Sequence, residues 1–197
     1  MAQHPFITLY GINNIGKTTQ AELLVKKIID SGQSAELMKY PRYDIKPSGE
    51  YLDKILRTGA KPSSQKEIEL WFVINRQQAA PILEEKLNKS VIVSEDYVGT
   101  GIAWGVANGS ELEWMEAINK NLKQEDLAIL LDGERFLGSV EDNHIHETNL
   151  HLTKKCRQVH LRLAERYNWP IVKADDNIDS VLQKIWTIVN QQFKFSN

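Results

Sequence analysis

Gly11-Ile12-Asn13-Asn14-Ile15-Gly16-Lys17-Thr18 reads G-x-x-x-x-G-K-T, and its flanks decide what it can be. Before it runs the apolar stretch Phe6-Ile7-Thr8-Leu9-Tyr10. After it, Thr19-Gln20-Ala21-Glu22-Leu23-Leu24-Val25-Lys26-Lys27-Ile28-Ile29 has a helical period. Strand, glycine loop and helix in that order make a phosphate cradle. The loop N–H groups and the positive end of the helix enclose a polyphosphate, Lys17 adds a cation, and the Thr18 hydroxyl can ligate Mg²⁺. The residues expected to hold a nucleotide's phosphates are therefore Gly11, Asn13, Asn14, Ile15, Gly16, Lys17, Thr18 and Thr19.

The rest of the composition narrows the partners. A chain of 197 residues suffices for one domain with a substantial core. With 24 Lys+Arg against 26 Asp+Glu the formal charge is −2, so no global basic field argues for nucleic acid or an anionic membrane. A polyanionic ligand must then be met by local cations. Cys156 is the only cysteine, the first residues lack a basic flank with an apolar core, and no apolar run approaches the ~20 residues of a membrane span. A cytoplasmic location is the expectation.

Beyond the first helix, the period-2 and short β-branched runs at 35–40, 90–94, 127–131 and 169–173 read as four more strands. Helical patterns are expected over 50–58, from Ser64 to about Gln78, over 110–121, over 148–167 and over 178–193. Ser64 and Glu67 form a capping box, and Pro81 is expected to kink the helix or start another over 82–87. Residues 98–108 are glycine-interrupted, and 134–149 are polar and aperiodic. The alternation implies an α/β fold: a five-stranded parallel sheet with helices on both faces, a P-loop NTPase. Ligands of such sheets lie at the strands' C-terminal ends, which gathers the P-loop, Tyr40-Pro41-Arg42, Glu95-Asp96-Tyr97 and Asp132 on one rim.

Several side chains on that rim can carry chemistry. Phe72 and Arg76 are four apart on one helix face, where a ring could stack on a base and a guanidinium could bond its edge; packing and a solvated charge explain the same spacing. Arg42 can act as a phosphate clamp from a fixed loop. Glu95 and Asp96 end the third strand, and alternation puts only one of them toward a metal opposite Thr18. His144, His146, His151 and Cys156 fit no standard zinc spacing.

In order, these motifs resemble one family. Phe6 to Gln20, with its G-K-T-T-Q, resembles the opening of thymidylate kinases. Tyr40-Pro41-Arg42 is similar to that family's phosphate-binding arginine loop, and Leu70-Trp71-Phe72-Val73-Ile74-Asn75-Arg76 to its L-F-x-x-N-R helix. Glu95-Asp96-Tyr97-Val98-Gly99-Thr100-Gly101-Ile102-Ala103-Trp104 resembles its D-R-Y-x-x-S-x-x-A-Y segment. The resemblance implies a nucleoside monophosphate kinase that moves the γ-phosphoryl group of Mg·ATP to dTMP, with small nucleotides as partners and a homodimer as the assembly. It makes Glu95 the metal carboxylate beside Thr18, and Lys17, Arg42, Glu95 and Arg135 the catalytic set. Phe72 and Arg76 would bind the base, with Thr100 near it, and Trp104 would crowd the sugar. Segment 134–149 would be the lid.

The chain departs from the family pattern where charge matters. Asn13 stands where the family usually has an acid, and Asn14 where some members have an arginine. Asp96 stands at the arginine of D-R-Y, and the lid holds only Arg135. Phosphoryl transfer is catalysed by positioning and electrostatic stabilisation, so these changes bear on rate more than on fold. Two alternatives follow: a nucleotide-binding protein of this fold with weak or no kinase activity, and a kinase for another deoxynucleotide or a deoxynucleoside.

Overall fold

The computed structural model describes residues 3–58, 60–134 and 150–195. Its strands are β1 (Phe6–Tyr10), β2 (Ala35–Lys39), β3 (Val91–Glu95), β4 (Leu127–Asp132) and β5 (Ile171–Lys173), and all pair in parallel in the order β2-β3-β1-β4-β5. The helices are α1 (Lys17–Asp30), α2 (Ser48–Thr58), α3 (Gln65–Leu87), α4 (Val98–Ala107), α5 (Leu112–Asn119), α6 (Leu150–Tyr167) and α7 (Ile178–Phe193). From β1 the chain crosses past the position of β3 to β2, and every later crossover runs the other way across the sheet, so the direction reverses at β1 and β3. That switch point opens a crevice at the strand ends, and the P-loop occupies it.

Alternation along the central strands divides the core in two. Phe6 and Tyr10 of β1, Ile92 of β3, and Ala128 and Leu130 of β4 face α3, α4 and α6, where Ala79, Leu83, Leu87, Ile102, Val159 and Leu163 close over them. Ile7, Leu9, Val91, Val93, Ile129 and Leu131 face the other way, against Leu24 and Ile28 of α1 and Val181, Ile185 and Val189 of α7. Both faces are covered, so the strands read as nearly continuous apolar runs.

Three local expectations change. Pro81 does not break the helix, since α3 runs unbroken from Gln65 to Leu87 with Pro81 inside. Pro81 is solvent-exposed, while Ala79, Leu83 and Leu87 around it are wholly buried. Each buried leucine is worth about 1.5–3 kcal/mol, which together outweigh an interior proline's cost of about 3 kcal/mol. The glycine-interrupted segment forms α4 over Val98–Ala107, and Gly99, Gly101 and Gly105 stand where the helix lies too close to Tyr10, Arg76 and Met115 for a side chain. The capping box is half formed: Ser64 Oγ accepts from Glu67 N at 3.1 Å, but the Glu67 carboxylate turns to Ser63 N at 2.6 Å. Arg135, His144, His146 and all but the first residue of the expected 134–149 lid lie outside the described residues.

Candidate active site

Gly11 leaves β1 with φ +146, and a Cβ there would come within 2.6 Å of the Leu131 carbonyl oxygen, so the loop can start only with glycine. Ile15 anchors the loop's middle in the sheet core at 1% exposure. These two of the expected phosphate residues therefore shape the loop. Asn13, Asn14, Gly16, Lys17, Thr18 and Thr19 line a cleft of about 640 Å³ that runs from the P-loop into the space between α3 and α4. A larger hollow of about 880 Å³ lies among residues 124–128 and 166–170, by the N-terminal ends of β4 and β5, remote from every phosphate-binding feature.

Charge is concentrated at the loop. Lys17 Nζ donates to the carbonyls of Gly11 and Ile12, both at 3.0 Å, and lies 3.6 Å from Asp96 Oδ1. The register Leu9↔Glu95 sets the end of β3 beside the P-loop, so Thr18 Oγ1 donates to Glu95 Oε2 at 2.8 Å. Lys39 Nζ, from the end of β2, stands 3.2 Å from the same oxygen.

The two acids do not point apart as strand alternation predicts. β3 ends at Glu95 and Asp96 adopts φ +61, a left-handed turn that swings its carboxylate into the same cleft. Asp96 Oδ1 there accepts from Thr100 Oγ1 at 2.6 Å, one turn into α4. Burial pushes the Asp96 carboxyl up, Lys17 pulls it down and Glu95 adds a push upward; the net direction is up.

The other end of the cleft is framed by two helices. Phe72 and Arg76 of α3 line it together with Thr100, Gly101 and Trp104 of α4. Arg76 is 5% exposed; its NH1 reaches Asn119 Oδ1 at 3.3 Å, and its Nε has no hydrogen-bond partner. The guanidinium lies flat against Gly101, where a Cβ would collide with it. Burial lowers the Arg76 pKa, with Tyr10, Tyr97 and Glu69 partly restoring it.

Arg42 is held differently from the expectation. Pro41 and Tyr43 line the cleft, whereas the Arg42 guanidinium makes a two-pronged pair with Asp44, at 2.9 and 2.6 Å. Its backbone is fixed from α3. Asn75 Oδ1 accepts from Arg42 N at 2.7 Å, and Asn75 Nδ2 donates to Arg42 O at 2.8 Å and Ser48 Oγ at 2.9 Å. Asn75 is fully buried and carries the loop, a role that sequence reasoning passed over although a polar residue amid Trp71-Phe72-Val73-Ile74 signals one. Glu69, buried in the same cleft, was missed as well. On the same rim, Arg157 of α6 is bound to Asp132 at 2.6 and 2.9 Å.

A cleft with a P-loop at one end and an aromatic–arginine pair at the other suits two nucleotides laid end to end. Comparison with known proteins agrees. A family model described as thymidylate kinase matches residues 9–185. A probable thymidylate kinase of Methanocaldococcus jannaschii is 30% identical over 177 residues, covering 87% of this chain and 88% of that protein. A thymidylate kinase of Schizosaccharomyces pombe is 33% identical over 127 residues, which is 64% of this chain and 60% of that one. In fold, the structure of thymidylate kinase from Candida albicans matches with a TM-score of 0.85 at 22% identity, over 98% of this chain and 93% of that one. The match begins within β1 and ends within α7, over the whole of the cleft just described, and the chain belongs to the thymidylate kinase family.

Proposed function

We propose that this protein transfers the γ-phosphoryl group of ATP to dTMP, giving dTDP and ADP. The observation that carries the proposal is the continuous cleft from Lys17 and Thr18 to Phe72, Arg76 and Trp104. The P-loop amides and Lys17 hold the donor phosphates. Phe72 stacks on the acceptor base, Arg76 bonds its carbonyl edge, and Trp104 closes on the sugar, with Thr100 beside them. Arg42 holds the acceptor phosphate by exchanging Asp44 for it. Arg135 is assigned to the transferring group on family resemblance alone.

Thr18 and Glu95 supply two oxygens 2.8 Å apart, a hard donor set that suits Mg²⁺. When bound, the ion neutralises charge on the donor phosphates. Asp96 adds a negative charge at the same place and is expected to set the rate, while family membership weighs against a protein that only binds nucleotides. A single domain acting as a homodimer in the cytoplasm completes the reading. It is supported by Leu70 and Ile74, one turn apart on α3 and 44% and 39% exposed, and by the free thiol of Cys156. No described helix is long and apolar enough to cross a membrane.

ADP release measured with ATP, Mg²⁺ and a panel of nucleoside monophosphates tests the proposal. Turnover with dTMP at ~1–100 s⁻¹ is expected. Absence of turnover with every monophosphate contradicts it.

A further inference from the structure

The cleft continues past Phe72 and Arg76. One turn nearer the start of α3, Gln65 and Glu69 also line it, with Trp104 and Asn108 of α4. Glu69 is 2% exposed, and its Oε1 accepts from Gln65 Nε2 at 2.6 Å. Gly105 of α4 makes room for it: a Cβ there would stand 3.2 Å from the Glu69 carboxyl carbon and closer still to Met115 of α5. A carboxylate is expensive to bury unless something repays its desolvation. Here burial pushes Glu69 up to about 7, the Gln65 bond pulls it down, and Arg76, two turns along the same helix, pulls it down less. Gly105, which approaches it from α4, and Met115 beside Gly105 are uncharged. A buried, incompletely compensated acid inside a ligand cleft is where recognition chemistry concentrates.

Arg76 supplies the complementary half, since its buried Nε has no partner. Residues 69, 72 and 76 share one helix face, so an acceptor group, a ring and a donor group follow one another along the pocket. Thymine presents a carbonyl oxygen beside a ring N–H. Cytosine presents an amino group beside a bare ring nitrogen at the same positions, the inverse pattern.

Resting on the kinase reading above, we infer that Glu69 is a specificity-determining residue of the acceptor site. Its carboxylate accepts a hydrogen bond from the ring N–H of a base whose neighbouring carbonyl faces Arg76. Nucleotides of 4-oxopyrimidines are thereby taken and those of 4-aminopyrimidines refused.

Steady-state kcat and KM for dTMP and dCMP, measured for the wild type, Glu69→Gln and Glu69→Ala, test this. The glutamine keeps an acceptor oxygen and adds a donor. Glu69→Gln is expected to narrow the dTMP:dCMP ratio of kcat/KM by about tenfold, chiefly through KM for dCMP, and Glu69→Ala to raise KM for dTMP about tenfold. A measurement on the wild type alone stands beside the variants. Both substrates carry the same phosphate, so its titration cancels in their ratio, and the ratio should grow as pH rises from 6 to 8 and Glu69 ionises. Turnover of dTMP with a ratio that neither the variants nor pH alters overturns this inference alone. Absence of turnover of any monophosphate by the wild type overturns the kinase reading with it.

Discussion

The two ends of the cleft are built on opposite plans. At the phosphate end, contiguous residues 11–19 supply nearly everything, held by backbone geometry and the loop's own carbonyls, with two acids brought in by the register of β3 on β1. At the base end the residues come from three helices. α3 gives Glu69, Phe72 and Arg76, α4 gives Gly101 and Trp104, and α5 gives Asn119. A loop of amides binds any polyphosphate, whereas a pocket between helices is shaped to one edge of one molecule. In the proposed reading, generic affinity and selectivity are thus separated in space.

That contrast can be broken at either end. The largest effect is expected from Lys17→Ala, which removes the buried P-loop cation and should cost about 10²–10³-fold in kcat with every acceptor alike. A loss confined to dTMP would contradict the division of labour.

A stability measurement tests the base end next. Glu69 has its pKa pushed up to about 7 from an ordinary value near 4.5, so the folded state holds this proton more tightly than the unfolded chain does. Its contribution to stability is therefore fully present below about 4.5 and lost as pH rises through about 7. The loss is on the order of 3 kcal/mol. Glu69→Gln removes this dependence, so urea denaturation should show the variant gaining on the wild type between pH 5 and pH 8. Parallel profiles would mean that the carboxyl is not desolvated.

Gly101→Ala comes third. Its methyl group must displace the Arg76 guanidinium or part α3 from α4, so a loss of about 1–3 kcal/mol in stability and a raised KM for dTMP are expected, with KM for ATP unchanged. The smallest effect is expected from Asp44→Ala. Freeing Arg42 from an exposed partner should lower KM for dTMP by about twofold to fivefold. A rise instead would make Asp44 part of the acceptor site.

The same contrast explains what the sequence disclosed. The P-loop, the sheet and the two-sided covering were legible because Gly11 to Thr18 is contiguous and Val91-Ile92-Val93 and Ala128-Ile129-Leu130 are short buried runs. Spacing placed Phe72 and Arg76 on one face, and only the family resemblance assigned them to a base pocket, since the approach of α4, permitted by Gly101, is what makes the pocket. Asn75 and Glu69 gain their roles from partners far along the chain or from burial, neither of which spacing reveals. Asp96 turned the other way because one backbone dihedral after β3 leaves the pleat, and Pro81 stayed in its helix because Ala79, Leu83 and Leu87 hold it to the sheet.

In the proposed reaction one continuous cleft holds both nucleotides end to end. Equilibrium binding of a compound that joins adenosine to thymidine through a 5′–5′ polyphosphate tests it most directly. One molecule of this compound is expected to bind per chain, more tightly than ATP or dTMP alone, and to be displaced competitively by each. Displacement by ATP with indifference to dTMP would contradict it.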